Sequence, residues 1–316
     1  MPDQEFVPSN DLQYPNGGKI GFKAPSNIAL VKYWGKKPGQ IPANPSISFT
    51  LNACATRTTM HFEKRKLPEA SFSFDFLFEG SPKPDFKPKI RLFLERIVAY
   101  LPFLNKYHFV IDSTNSFPHS SGIASSASGM AALALCLLEL EQQANPEMTE
   151  AYFLRKASFL ARLGSGSASR SIEGDLIQWG HTPSILKSTD LYAIRYPHAV
   201  HTVFEGYLDT ILLIHKGQKS VSSSVGHGLM EGHPYAQNRF TQAHDHLKQL
   251  QPIFKNGDLE AFMGIVESEA LTLHAMMMAS RPYFVLMLPN TLAVIDKIWQ
   301  FRKETKIPIC FTLDAG

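Results

Sequence analysis

The chain has 316 residues, 44% of them hydrophobic and 11% aromatic; this is enough to bury one large core or two ordinary ones and excludes wholesale disorder. A net charge of +3 is too mild to require nucleic acid as a partner, though it suits a small anionic substrate. Cys54, Cys136 and Cys310 are odd in number and far apart, which excludes a disulfide framework or a CxxC zinc site and points to a reducing, cytoplasmic compartment.

Residues 1–19 are polar, lack an apolar h-region and read as a flexible arm rather than a signal peptide. From Ile20 to about Phe78 the chain is strand-like: Phe49-Thr50-Leu51 and Thr58–Phe62 mix β-branched and apolar residues, and Ser71–Phe78 alternates Ser or Asp with Phe. Glu79–Lys89, rich in proline and lysine, reads as a loop. Ile90–Leu101 is helical, with Ile90, Leu92, Leu94, Ile97 and Val98 on one broad face, and Tyr107–Asp112 is a strand. A Ser/Gly-rich stretch, Ser116–Gly129, runs into a helix over Met130–Leu140. A helix over Thr149–Leu163 ends in a second such stretch, Gly164–Ser171. Strands are expected at Thr202–Phe204 and Thr210–His215, and helices at about Asn238–Phe254, Leu259–Ser280 and Thr291–Thr305. A last strand is expected at Ile307–Leu313. Strands and helices come in blocks, so the fold class is α+β rather than doubly wound, with a boundary near residues 185–205. The longest apolar run, Met130–Leu138, is far short of the roughly 20 residues that span a bilayer, so no membrane is involved.

Four stretches carry chemistry. In Pro118-His-Ser-Ser-Gly-Ile-Ala-Ser-Ser-Ala-Ser-Gly129, small residues admit a ligand to the backbone, and the following helix aims free N–H groups at the loop. That is a phosphate cradle, although neither GxxxxGK[ST] nor GxGxxG is present; a flexible linker would not lead straight into an Ala/Leu helix. In Asn27-Ile-Ala-Leu-Val-Lys-Tyr-Trp-Gly-Lys36, the strand period puts Lys32 and Trp34 on one face and Tyr33 on the other, and Lys32, Tyr33 and Lys36 together can hold an anion. The alternative is an amphipathic strand with exposed lysines. Gly164-Ser-Gly-Ser-Ala-Ser-Arg170-Ser surrounds one arginine with small residues, so its fork can reach a phosphate or carboxylate bidentately, or else Gly164 merely ends a helix. Phe311-Thr-Leu-Asp314-Ala-Gly316 ends an apolar strand on an Asp placed like a general base. The histidines, chiefly His198/His201, His244/His246 and His227/His233, lack HExxH or Cys/His spacing and read as ordinary residues, so no metal site is assigned to protein side chains.

Together these stretches resemble one family. Pro118-x3-Gly122-Ile-Ala-Ser-Ser-Ala is similar to the phosphate-binding motif of the GHMP kinase superfamily. Asn27–Lys36, Asn44-Pro-Ser-Ile-Ser-Phe-Thr-Leu51, Gly164–Ser171 and Phe311–Gly316 resemble, in order, signatures of its mevalonate diphosphate decarboxylase family. The resemblance spans about Ala24 to Gly316. It implies a flexible arm (1–19), a domain like domain 2 of ribosomal protein S5 (20–195) and a ferredoxin-like C-terminal domain (196–316), with the active site between them. It also implies ATP with Mg2+ as cofactor, mevalonate 5-diphosphate as substrate and a homodimer. Catalysis would fall to Asp314, Lys32 and Arg170. Substrate would be held by Tyr33, Trp34, Gly35, Lys36, Ser165, Gly166, Ser167, Ala168, Ser169, Arg170 and Ser223, and nucleotide by Ser120, Ser121, Gly122, Ile123, Ala124, Ser125, Ser126 and Ser128. Lys89 would stand where relatives carry a substrate-binding arginine. Two departures stand out: the family continues past Asp-Ala-Gly with another strand and helix, and some bacterial members carry an Arg within the loop matching Ser222–Ser224. A kinase or decarboxylase acting on mevalonate or its monophosphate is the alternative within the same superfamily.

Overall fold

The computed structural model describes residues 3–8, 12–66, 71–118, 123–214 and 223–314. Its strands are β1 (Gly17–Val31), β2 (Lys36–Lys37), β3 (Ile41–Pro42), β4 (Ser46–Lys64), β5 (Ser73–Phe78), β6 (Ser81–Pro82), β7 (Tyr107–Asn115), β8 (Leu176–Trp179) and β9 (Ala193–Arg195). Its helices are α1 (Lys87–Ile97), α2 (Ser125–Ala144), α3 (Glu150–Gly164), α4 (Ser223–Gly228), α5 (Ala236–Asn256), α6 (Leu259–Ala279) and α7 (Pro289–Thr305). β2 and β3 pair with each other. The remaining strands form one sheet in the order β6-β5-β7-β4-β8-β9, with β1 paired antiparallel to β4 along nearly its whole length. β5 runs parallel to β7; all other pairs in the sheet are antiparallel. The mixed α+β class expected from the sequence is the one observed.

Period-two alternation builds the long strands: in β4, Thr58, Met60 and Phe62 are buried while His61 faces water. The buried set meets α1 through Phe93, Leu94 and Ile97, α2 through Leu133–Leu138, and α3 through Phe153 and Leu160. α2 is apolar nearly all round and starts at Ser125, earlier than the expected Met130, so Ser125, Ser126 and Ser128 lie in its first turn. Pro88, just inside α1, has no N–H to lose there, and the helix starts within the stretch expected to be a loop. The β1–β4 register slips between Pro25 and Ser26 and again between Ala29 and Val31. Such bulges re-aim side chains, and here they precede Asn27 and Lys32.

A second core joins Leu30, Val31 and Ile47 at the sheet end to Leu247, Leu250 and Phe254 of α5 and Phe262, Ile265 and Val266 of α6. The strands expected in this half are absent. Thr202–Phe204 is a single 3-10 turn capped by His201, and residues 210–214 and 307–314 run without a ladder. Among the described residues no strand follows Arg195. Ile211, Leu212, Leu213, Ile307 and Ile309 are exposed as a result. β-branched runs supply propensity, but a strand exists only with a neighbour to hydrogen-bond.

Candidate active site

β1 stops at Val31, so Lys32 to Gly35 leave the sheet and the strand period no longer applies; Lys32 and Trp34 are both buried, but for different reasons. The Lys32 main chain is clamped by the helices. Its N–H donates to Glu269 Oε2 at 2.8 Å, and its carbonyl accepts from Arg239 Nη2 at 2.9 Å and Asn44 Nδ2 at 3.0 Å. Glu269 in turn takes both arms of Arg239 and a 2.6 Å hydrogen bond with His246 Nδ1. Burial alone would raise the Glu269 carboxyl, but His246 and Arg239 hold it below the ordinary carboxylate range.

So anchored, the Lys32 ammonium has no hydrogen-bond partner among the described residues, and Asp314 Oδ1 lies 3.9 Å away. Lys32 is 2% exposed and Asp314 45%. Burial pushes the lysine below its usual range, while Asp314 and Glu269 push it back up and Arg170 adds to the depression. Arg170, in the turn Gly166–Ser171, is buried against β1 and β4. Its Nε donates to Asn27 Oδ1 at 3.3 Å and Ser48 Oγ at 3.0 Å, and its Nη1 to Ser46 Oγ. Burial pulls it down to about 10, and Asp314 and Tyr33 counter the fall. Asp314, Lys32 and Arg170 therefore share one electrostatic environment. Most of the Arg170 fork is engaged by Asn27, Ser46 and Ser48, and among the described residues only Nη2 makes no hydrogen bond.

Sequence reasoning missed His274 on α6. It is 4% exposed, its Nε2 has no partner among the described residues, and burial and Lys32 push it down to about 4 while the Asp314 charge and a hydrogen bond with the Asp314 main chain act the other way. It is thus neutral beside both Lys32 and Asp314. No spacing signalled it: Glu269 and His274 are five residues apart on α6, about 140° around the helix, and match no motif with a stated mechanism. Thr312 Oγ1 and Tyr33 Oη are likewise buried without partners. Buried polar atoms without a partner are rare in a folded chain.

The other expected residues divide. Tyr33 packs on Trp179 at 4.8 Å, and a Cβ on Gly166 would come 3.0 Å from the Tyr33 hydroxyl, so the Gly164–Ser171 run lies against Tyr33 only because residue 166 has no side chain. Ser165 and Ser167 are partly exposed beside it. Ala168 and Ser169 are buried, and the Ser169 hydroxyl donates to the Gly166 carbonyl at 2.8 Å. Trp34 is also a core residue, packed with Met230, Leu273, Met276 and Met277. On the nucleotide side, Ser128 is fully buried and hydrogen-bonds Thr56 Oγ1 at 2.7 Å, so it ties α2 to the sheet instead of lining a cradle. Ile123 packs with Ile28, Leu51 and Phe117, and its carbonyl accepts from Ser26 Oγ. Ala124, at φ 50°, caps α2 with no side-chain hydrogen bond. Lys89 Nζ donates to Ser126 Oγ at 2.9 Å. A cation at the positive end of a helix is unfavourable unless an anion joins it. Ser120, Ser121 and Gly122 and the side chain of Ser223 lie outside the described residues. Among the described residues there is no group of three or more His, Cys, Asp or Glu able to hold a metal ion, and no helix long and apolar enough to cross a membrane.

Residues 24–191 match the family model described as diphosphomevalonate decarboxylase-like N-terminal domain. The chain belongs to that family. The diphosphomevalonate decarboxylase of Saccharomyces cerevisiae is 30% identical over 93% of this chain and 74% of its own. The phosphomevalonate decarboxylase of Haloferax volcanii is 27% identical over 94% of this chain and 86% of its own. Among solved structures, MDDEF in complex with MVAPP, AMPPCP and magnesium superposes with a TM-score of 0.76 at 30% identity, covering 95% of this chain and 87% of that one.

Proposed function

We propose that this member of the diphosphomevalonate decarboxylase family uses ATP to convert mevalonate 5-diphosphate into isopentenyl diphosphate, carbon dioxide, ADP and phosphate. The observation that carries the reading is the Asp314 Oδ1 3.9 Å from the buried Lys32 ammonium, with Arg170 close enough for its charge to bear on Lys32 and for Asp314 to bear on it. A tertiary alcohol is a poor leaving group, so the 3-hydroxyl is phosphorylated first. Its departure leaves positive charge at C3, which loss of carbon dioxide quenches as the alkene. Asp314, the solvent-facing member, orients the hydroxyl and takes its proton. Lys32, a buried cation with Asp314 as its counter-charge and no hydrogen-bond partner among the described residues, stabilises charge on the phosphoryl group in transfer, and its clamped main chain limits the reorganisation this needs. Arg170, preorganised by Asn27, Ser46 and Ser48, offers Nη2 to the substrate carboxylate.

The residues present fit a nucleotide. The first turn of α2 and Lys89 would receive the ATP phosphates, and magnesium would arrive on those phosphates, with Asp314 the nearest carboxylate to the transfer. Tyr33, Lys36, Ser165 and Ser167 would hold the diphosphate. The reading also includes two domains meeting near residue 195, the first like domain 2 of ribosomal protein S5 and the second ferredoxin-like, in a cytoplasmic homodimer.

The test is stoichiometry. With mevalonate 5-diphosphate and Mg-ATP, carbon dioxide and ADP should appear one for one. ADP without carbon dioxide would mean a kinase that stops at the phosphorylated alcohol. The similarity to the Haloferax protein makes the monophosphate the second reading, and a higher kcat/KM on mevalonate 5-phosphate would favour it.

A further inference from the structure

His227 lies on α4 between the rings of Tyr33, at 4.3 Å and 35°, and Trp34, at 4.7 Å and 39°. The approach is so close that a Cβ on Gly226 would stand 2.5 Å from the Trp34 ring. His227 Nδ1 accepts the Gly35 N–H at 3.0 Å. A ring nitrogen that accepts carries no proton, so in the neutral imidazole the proton sits on Nε2, leaving a donor with a fixed direction. Among the described residues Nε2–H has no partner. Two cations, Lys36 and Arg170, act on the ring, and the Tyr33 ring stacked on it carries a buried hydroxyl with no hydrogen-bond partner among the described residues. None of them is an anion.

We propose that His227 is a substrate-binding residue: a neutral Nε2–H donor, pinned by the Gly35 main chain and by stacking on Tyr33 and Trp34, that hydrogen-bonds the phosphate tail of the substrate. This rests on the decarboxylase reading and deepens it, since it adds a contact to the tail that carries no charge. Burial first, then Lys36 and Arg170, push the ring down to about 3, so it remains a neutral donor throughout the physiological range. A third cation in this place would repel Lys36 and Arg170 before substrate arrives; a neutral donor does not, yet still pays its share when the anion binds.

The test uses the whole protein in three forms: wild type, His227→Phe, which keeps a stacking ring without a donor, and His227→Gln, whose amide N–H reaches about as far as Nε2. Binding of mevalonate 5-diphosphate is measured by calorimetry without nucleotide, and binding of AMPPCP separately. A hydrogen bond to a charged acceptor lost from such a site corresponds to roughly tenfold or more in Kd. We expect that loss in His227→Phe, recovery to within about threefold of wild type in His227→Gln, and unchanged AMPPCP binding in both. Equal affinity in His227→Phe and wild type, or an equal loss in both variants at unchanged melting temperature, overturns the proposal, because the ring would then do nothing or act by packing alone. Should His227→Phe not fold, the wild type still decides: the imidazole Nε2–H proton resonance should move downfield when mevalonate 5-diphosphate is added, and an unmoved resonance overturns the proposal. Failure of the decarboxylase reading would show separately, as no carbon dioxide from the wild type.

Discussion

Lys32 and Asp314 divide their work by exposure. The lysine is shut off from water and clamped through its main chain, whereas the Asp314 carboxylate is half exposed to solvent. Asp314→Asn keeps the shape and removes the base. Carbon dioxide release should fall by about 10²–10⁴ with little change in substrate KM. Lys32→Met should cost about 10²–10³ in kcat. Steady-state assays of both variants check this, and a kcat within threefold of wild type for Asp314→Asn would remove it from the reaction. At this scale the sequence was informative where side-chain type dictates chemistry. Lys32, Arg170 and Asp314 stood out as a cation, a fork and a base among small or apolar neighbours. His274 and His227 did not, because a histidine's role depends on which nitrogen is satisfied, and Gly35 and Asp314, distant in sequence, decide that.

The elements carry the site through a few buried polar joints. α5 and α6 hold the Lys32 main chain with Arg239 and Glu269, both fully buried. Glu269→Gln leaves the Arg239 charge without its counter-ion; breaking a buried pair typically costs about 3–5 kcal/mol. Urea denaturation should show a loss of that order, accompanied by a lower kcat because Lys32 is no longer fixed. A fully stable but slow variant would mean that the clamp serves position alone, and a stable, fully active one would show that it serves neither. The helices were legible at this scale because their 3.6-residue patterns and caps are local, as with Thr149 accepting from the Tyr152 N–H at 3.3 Å to open α3. Helix starts were less so: Ser125, Ser126 and Gly129 look like loop residues but lie in α2. The strands of the C-terminal half were not legible, because the apolar runs at 210–214 and 307–313 supply propensity alone, whereas pairing partners come from tertiary structure.

The whole molecule should be acid-sensitive. His227 and His274 are held neutral down to about 3 and about 4, mainly by burial, whereas an unfolded histidine titrates near 6.5. Their folded values lie below the unfolded one, so the unfolded chain binds more protons in between. Their contribution to stability is complete above about pH 6.5 and drains away as pH falls toward about 4. Melting temperature should therefore drop between pH 7 and pH 5, and less steeply in His274→Phe. A flat profile over that window would contradict the neutral, buried state of both rings. At this scale the order of motifs along the chain was the legible part, since it follows the family. The packing that brings Asp314 to Lys32 was not: α6 packs against the end of β1 on one side and, with Ala270, against Phe311 and Leu313 on the other, and the two side chains meet at 3.9 Å across almost the full length of the chain.

The most direct measurement is a crystal structure of this protein with mevalonate 5-diphosphate and a non-hydrolysable ATP analogue. An Asp314 oxygen is expected about 2.6–3.2 Å from the substrate 3-hydroxyl, with Arg170 Nη2 on the carboxylate and the terminal phosphate beside Lys32. A substrate bound with its hydroxyl turned away from Asp314, or a nucleotide seated away from the start of α2, would contradict the account.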